Sequence, residues 1–221
     1  MLKLSNISKT YNKGKVNEFK ALKNIDLEIK DGDFVAIMGE SGAGKTTMLN
    51  IMNMTDSDYD GEYDFDGTDA KNLSHAQRCE FLNKKIATVF QNFLLIDEAK
   101  VLDNIVLPLY IHHLKKKEML LKCKEVLDKV GILDKYNDYV DTLSGGEKQR
   151  VAIARSLIIN PKVLFADEPT GALDSKTAIE IMEIFKKLNE EGCTIIMITH
   201  NHEMATYAKK IITMSDGVII S

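Results

Sequence analysis

Gly39-Glu40-Ser41-Gly42-Ala43-Gly44-Lys45-Thr46 decides how this chain folds. The octapeptide fits the pattern G-x-x-x-x-G-K-[ST]. Ahead of it, Phe34-Val35-Ala36-Ile37-Met38 is a short, wholly apolar run, the mark of a buried parallel strand. Behind it, Met48, Leu49 and Met52 give a helix one apolar face. A strand, a glycine-rich loop and a helix in that order turn backbone N–H groups inward as an anion nest. The helix N-terminus adds its partial positive charge. The other residue types suit a nucleotide. Lys45 reaches the β- and γ-phosphates, and Thr46 offers a hydroxyl to Mg²⁺. Residues Gly39, Glu40, Ser41, Gly42, Ala43, Gly44, Lys45, Thr46 and Thr47 are therefore candidate ATP contacts.

The last third of the chain continues the strand and helix alternation. Val163-Leu164-Phe165-Ala166 is an apolar run that ends in Asp167-Glu168. The C-terminal end of a strand beside a phosphate loop is where open α/β sheets bind ligands. Asp167 in that place would hold Mg²⁺, and Glu168 would accept the proton of an attacking water. Pro169-Thr170-Gly171 is also a turn signal, so in isolation the acids read as turn starters. The upstream loop shifts that balance. Asp174-Ser175 can cap a helix whose Ala178, Ile181, Met182, Phe185 and Leu188 share one face, and Gly192 ends it. Thr194 to Thr199 is a further buried strand. His200 follows it, where it could bond the γ-phosphate and the attacking water. Such alternation implies βαβ units around a parallel sheet.

The first third reads as strands and turns. Ala21 to Ile29 alternates apolar and polar residues, as a half-buried strand does, and Asp31-Gly32-Asp33 marks a turn. From Val101 to Leu157 the helical period takes over. Leu120, Cys123, Leu127 and Val130 fall at spacings of three and four, and Gly131 sits where a helix ends. A mostly helical subdomain is expected at about 92–158.

The composition sets limits on function. The 221 residues suit one compact domain with a subdomain. A net charge of −4 argues against a chain whose main partner is nucleic acid. Cys79, Cys123 and Cys193 show neither disulfide nor zinc spacing and read as reduced thiols of a cytosolic protein. No apolar run is long enough to span a membrane, and the N-terminus has no signal-peptide core. His75, His112, His113 and His202 read as surface histidines without ligand spacing. Lys115-Lys116-Lys117 reads as a solvated helix face.

Leu143-Ser144-Gly145-Gly146-Glu147-Lys148-Gln149-Arg150 remains. Ser144 can cap a helix running through Val151, Ile153, Ala154 and Leu157, with Asn160-Pro161 beyond its end. A serine and two glycines at a helix start make a second anion site. One nucleotide does not need two such sites from one chain, so the second would serve another chain's ATP.

The whole set resembles the ATP-binding cassette (ABC) ATPases. Residues 143–147 are similar to the family's signature, 39–46 to its Walker A loop, and 163–168 to Walker B with its glutamate. Gln91, after Ala87-Thr88-Val89-Phe90, sits where the Q-loop glutamine is expected. Ala172-Leu173-Asp174 looks like the D-loop, His200 the switch histidine, and Tyr11 the aromatic that stacks on adenine. The resemblance implies an α/β fold. A RecA-like P-loop NTPase core with an N-terminal antiparallel β-subdomain would occupy 1–91 and 159–221, with the inserted helical signature subdomain at 92–158. It implies a head-to-tail homodimer that sandwiches two ATP, each facing Leu143, Ser144, Gly145, Gly146 and Glu147 of the second copy. Glu168, His200, Gln91 and Lys45 would serve catalysis, Asp174 the D-loop, and Thr46, Gln91 and Asp167 the Mg²⁺. A membrane permease would dock near Gln91 to Leu95 and hold the chain on the inner face of the cell membrane.

Lys20 to Ile25, Phe34 to Gly39 and Asp167 to Thr177 are similar to the MacB/LolD/FtsE group of cassettes. Glu40 and Ala172 differ from that group's usual residues without touching a reactive group. The group implies export or clearance of antimicrobial peptides, bacteriocins, lipoproteins or macrolide-like compounds. A cassette that drives a cell-division complex without transport is the alternative. Soluble DNA-repair or translation cassettes are the third class, and they usually carry long coiled-coil inserts or tandem cassettes that this sequence lacks.

Overall fold

The apolar run before the glycine-rich loop is the centre of a six-stranded sheet. A computed structural model describes all 221 residues. The chain begins with β1 (Leu2–Tyr11) and β2 (Phe19–Ile29), followed by β3 (Phe34–Gly39) and α1 (Lys45–Met52). Then come β4 (Asp60–Phe65), β5 (Thr68–Asp69), α2 (His75–Lys85) and β6 (Ile86–Phe90). A helical stretch holds α3 (Val101–Val106), a 3₁₀ turn at Leu107–His112, α4 (Lys116–Lys129) and α5 (Gly145–Leu157). The chain closes with β7 (Val163–Asp167), α6 (Ser175–Glu190), β8 (Thr194–Ile198), α7 (His202–Ala205), β9 (Lys210–Ser215) and β10 (Val218–Ile219).

The large sheet has the order β10-β9-β3-β8-β7-β6, and only β10 runs antiparallel to its neighbour. Both faces are covered, which is why its strands carry no polar alternation. Phe34, Ala36, Leu164, Ala166, Ile195 and Met197 face one core together with α3, α4, α5 and α6. Val35, Ile37, Val163, Phe165, Ile196 and Ile198 face the other. That second core is closed by α1 and by the antiparallel sheet β2-β1-β4-β5. Each fully buried Ile, Leu or Phe here contributes roughly 1.5–3 kcal/mol. The helical stretch therefore has no separate core; it shares one with a face of the sheet.

Local signals set the helix ends as read from the sequence. Ser144 caps α5 and Asp174 caps α6 through their side chains. Gly131 and Gly192 follow α4 and α6 with positive φ. Three features differ from the sequence reading. β2 starts at Phe19, two residues before Ala21. α2 buries no residue, so it has no apolar stripe to read, and the Ser74–Gln77 capping box defines its start. His112 is half-buried with an enclosed Nε2, and so is not a surface histidine as expected. No helix is long and apolar enough to cross a membrane.

Candidate functional site

Strand order assembles the site. β3, β8 and β7 are adjacent and parallel, so their C-terminal ends open on the same edge of the sheet. β3 delivers the loop at Gly39, β7 delivers Asp167 and Glu168, and β8 between them delivers His200. These residues line one cavity of about 590 Å³ with Glu40, Ser41, Gly42, Gly44, Lys45, Thr46 and Thr47. Ala43 is the loop residue that turns inward: it is buried in the second core, and its N–H donates to the Glu40 carbonyl at 3.2 Å.

The loop's shape depends on Gly44. Its φ is +96°, and a Cβ there would lie 2.6 Å from the Ala21 carbonyl oxygen. Only glycine tolerates both. Lys45 Nζ donates to the carbonyls of Gly39 at 2.7 Å and Glu40 at 2.8 Å, which holds the ammonium over the loop. Burial, and then the neighbouring Glu168, push the Asp167 carboxyl above the ordinary aspartate range, with Lys45 opposing. Two carboxylates beside one ammonium leave surplus negative charge at the strand end.

Glu168 has φ +48°. A non-glycine residue in the left-handed region is strained, and such strain collects at functional sites. The chain holds it there from several sides. The Glu168 N–H donates to Ile198 at 2.9 Å, and its carbonyl accepts from Gly171 at 3.0 Å. Buried Gln149 on α5 donates Nε2 to the Pro169 carbonyl at 2.6 Å. The Glu168 carboxylate and His200 Nδ1 are 2.8 Å apart.

Several expected residues lie outside this cavity. Gln91 follows β6, beyond β7 and so three strands from β3. β6 pairs with β7, with Phe90 opposite Asp167, so Gln91 comes one residue beyond that pair. Its side chain packs on Gly171, with Nε2 2.8 Å from where a Cβ would be. Gln91 does not itself line the cavity that holds Thr46 and Asp167. Tyr11 stands at the cavity's margin, its hydroxyl 3.4 Å from Thr47 Oγ1. Asp174 is engaged as the α6 cap and accepts from the Thr177 hydroxyl at 2.6 Å.

The 143–147 segment is also outside. Leu143 is buried in the first core. Ser144 is exposed, and its N–H and hydroxyl donate to the Glu147 carboxylate at 2.9 and 2.8 Å. Glu147 thus completes a cap and leaves the helix start to Ser144 and the glycines. Gly146 lies so close to α6 that a Cβ would come within 2.5 Å of Thr177 Cγ2.

Sequence reasoning missed Phe19, Ala21 and Ile198, which also line the cavity. Phe19 pairs directly with Tyr11 across the β1–β2 ladder. No periodicity marks it, because it precedes the alternating part of β2. Gln149 carries no signal of its own in the sequence, and only the packing shows the turn it holds.

The loop, the acidic strand end and the parallel sheet define a P-loop nucleotide-binding protein. The comparisons with known proteins narrow that class. The ABC transporter family pattern matches residues 22–171. The chain is 46% identical over its whole length to MJ1508, an ABC transporter ATP-binding protein of Methanocaldococcus jannaschii, and covers 98% of it. It is 43% identical to MacB of Chlorobium luteolum, a macrolide export ATP-binding/permease protein, and spans 33% of that longer chain. Among solved structures, the ABC transporter cassette MJ0796 superposes with a TM-score of 0.90 at 42% identity, covering 100% of this chain and 97% of that one. A second structure of MJ0796 is a dimeric post-hydrolysis state bound to ADP and Pi. The chain therefore belongs to the ABC transporter family. It is an ATP-binding subunit and an ATPase.

Proposed function

We propose that this chain hydrolyses ATP at a site completed by a second copy of itself and passes the resulting motion to a membrane permease. One observation carries the reading. Lys45, Asp167, Glu168 and His200 converge on one cavity, while the anion-binding start of α5 is exposed outside it. A cassette dimer of the MJ0796 kind supplies the missing side, with Ser144, Gly145 and Gly146 of the partner closing over the γ-phosphate.

The backbone N–H groups of the loop and Lys45 hold the β- and γ-phosphates. Glu168 takes the proton from the attacking water as the water oxygen bonds phosphorus and the bond to ADP breaks. His200 Nδ1 bonds that carboxylate and holds it in orientation for the attacking water. Thr46 and Asp167 fit Mg²⁺: both offer hard oxygen donors, and the surplus carboxylate charge at the strand end favours a divalent cation. When bound, the ion would neutralise charge on the transferring phosphoryl group.

The permease reading rests on an apolar surface. Leu94, Ile96, Leu107, Tyr110 and Ile111 are all exposed, with Tyr110 at 61%. Arg155 holds the first of these segments by donating to the carbonyls of Phe93 and Leu94, and it lines a small cavity with Pro108 of the 3₁₀ turn. The fused MacB relatives, in which a cassette like this one is part of a macrolide export permease chain, support a permease that exports macrolide-like compounds.

The test is Glu168→Gln. The variant should bind ATP as the unaltered chain does, lose turnover, and elute as a dimer with ATP. Turnover at the original rate would remove Glu168 as the base. Loss of the host's macrolide resistance on deleting the gene, restored by the unaltered copy and not by E168Q, would support the substrate class.

A further inference from the structure

Lys9 has no role in the mechanism above, yet it is a lysine with only 4% of its surface exposed. Lysine is almost never buried unless paired. Here the ammonium meets the Asp56 carboxylate at 2.9 Å, the Asp58 carboxylate at 3.2 Å and the Asp58 carbonyl. Both acids come from the segment between α1 and β4. Burial draws the Lys9 pKa down, but the bonds and charges of Asp56 and Asp58 outweigh it and keep the group above the ordinary lysine value.

The same ammonium lies 5.0 Å from the centroid of the Tyr11 ring. Residues two apart in a strand share a face, and the register shifts on both sides of Lys9 in the β1–β2 ladder. Such irregularities re-aim side chains beside sites. Tyr11 is thus held at two places: the ring by the Lys9 ammonium, and the hydroxyl by Thr47, next to Thr46 on α1. An aromatic ring that is 37% exposed and otherwise free at a strand end would lose rotamer freedom on stacking against a base. A ring fixed beforehand does not.

We infer that Lys9, clamped by Asp56 and Asp58, is a positioning residue that sets the Tyr11 ring for the nucleotide base. The inference rests on the reading of Tyr11 as the adenine contact. It predicts that Lys9 matters for ligands that carry a base and not for those that carry phosphates alone.

ADP and inorganic tripolyphosphate, titrated into the full chain, separate the two. Lys9→Met should weaken ADP binding about fivefold, the size of one cation–π contact, and leave tripolyphosphate unchanged. Lys9→Arg, which keeps the cation, should restore most of the ADP affinity. Tyr11→Ala should weaken ADP at least as much, and Lys9→Met added to it should cost nothing further. If Tyr11→Ala weakens ADP but Lys9→Met does not, or if the two losses add, the positioning role is wrong. Equal weakening of ADP and tripolyphosphate by Lys9→Met would show a general loss of structure and overturn it too. If Tyr11→Ala leaves ADP unchanged, the reading of Tyr11 fails and takes this inference with it.

Discussion

At the residue scale, the candidate site combines residues whose types are legible in the sequence with a geometry that is not. Lys45 and Glu168 are named by their motifs. Nothing in Asp167-Glu168-Pro169 announces a φ of +48° or a histidine 2.8 Å away. The histidine comes close because β8 lies beside β7. Lys45 gives the plainest prediction at this scale. A charge-assisted phosphate contact contributes about 1.5–3 kcal/mol. Lys45→Ala should therefore weaken ATP by about tenfold or more in an equilibrium titration, with the melting temperature unchanged, since its ammonium otherwise serves only two loop carbonyls. An unaltered titration would count against the phosphate cradle.

At the element scale, the start of α5 does two things with five residues. Ser144 and Glu147 cap the helix reciprocally, and Gly146 lets it pack against α6. The cap has a pH signature. Hydrogen bonds from the Ser144 backbone and hydroxyl, and then the Lys135 charge, hold the Glu147 carboxyl below the ordinary glutamate range. A depressed pKa contributes stability that is present above the unfolded value, about 4.3, and lost as pH falls through the folded value. Glu147→Gln should cost about 1 kcal/mol or less at neutral pH. The gap to the unaltered chain should close below about pH 4, as read from urea unfolding at a series of pH values. Helix caps of this kind are readable because they are local. The polar helix α2 and the early start of β2 were not, since neither carries the apolar period by which such elements are found.

At the scale of the whole molecule, the two anion-binding helix starts open on different surfaces, and a second copy is needed to bring them together. Ser144 is exposed, so an arginine there should leave the fold intact. Ser144→Arg should keep ATP binding by the single chain and abolish ATP-dependent dimerisation and hydrolysis, measured by light scattering and phosphate release; full activity would refute the shared site. The sequence by itself determined the local chemistry: the phosphate loop, the strand-end acids, the caps and the apolar strands. Each depends on neighbours within a few residues, through backbone conformation and side-chain period. Only the tertiary structure decided which strand ends are adjacent. That placed His200 against Glu168, set Gln91 against Gly171, and clamped the Lys9 ammonium with Asp56 and Asp58. Those contacts join residues far apart in the chain. They follow from how two cores pack against the faces of one sheet, a choice that no single stretch of sequence encodes.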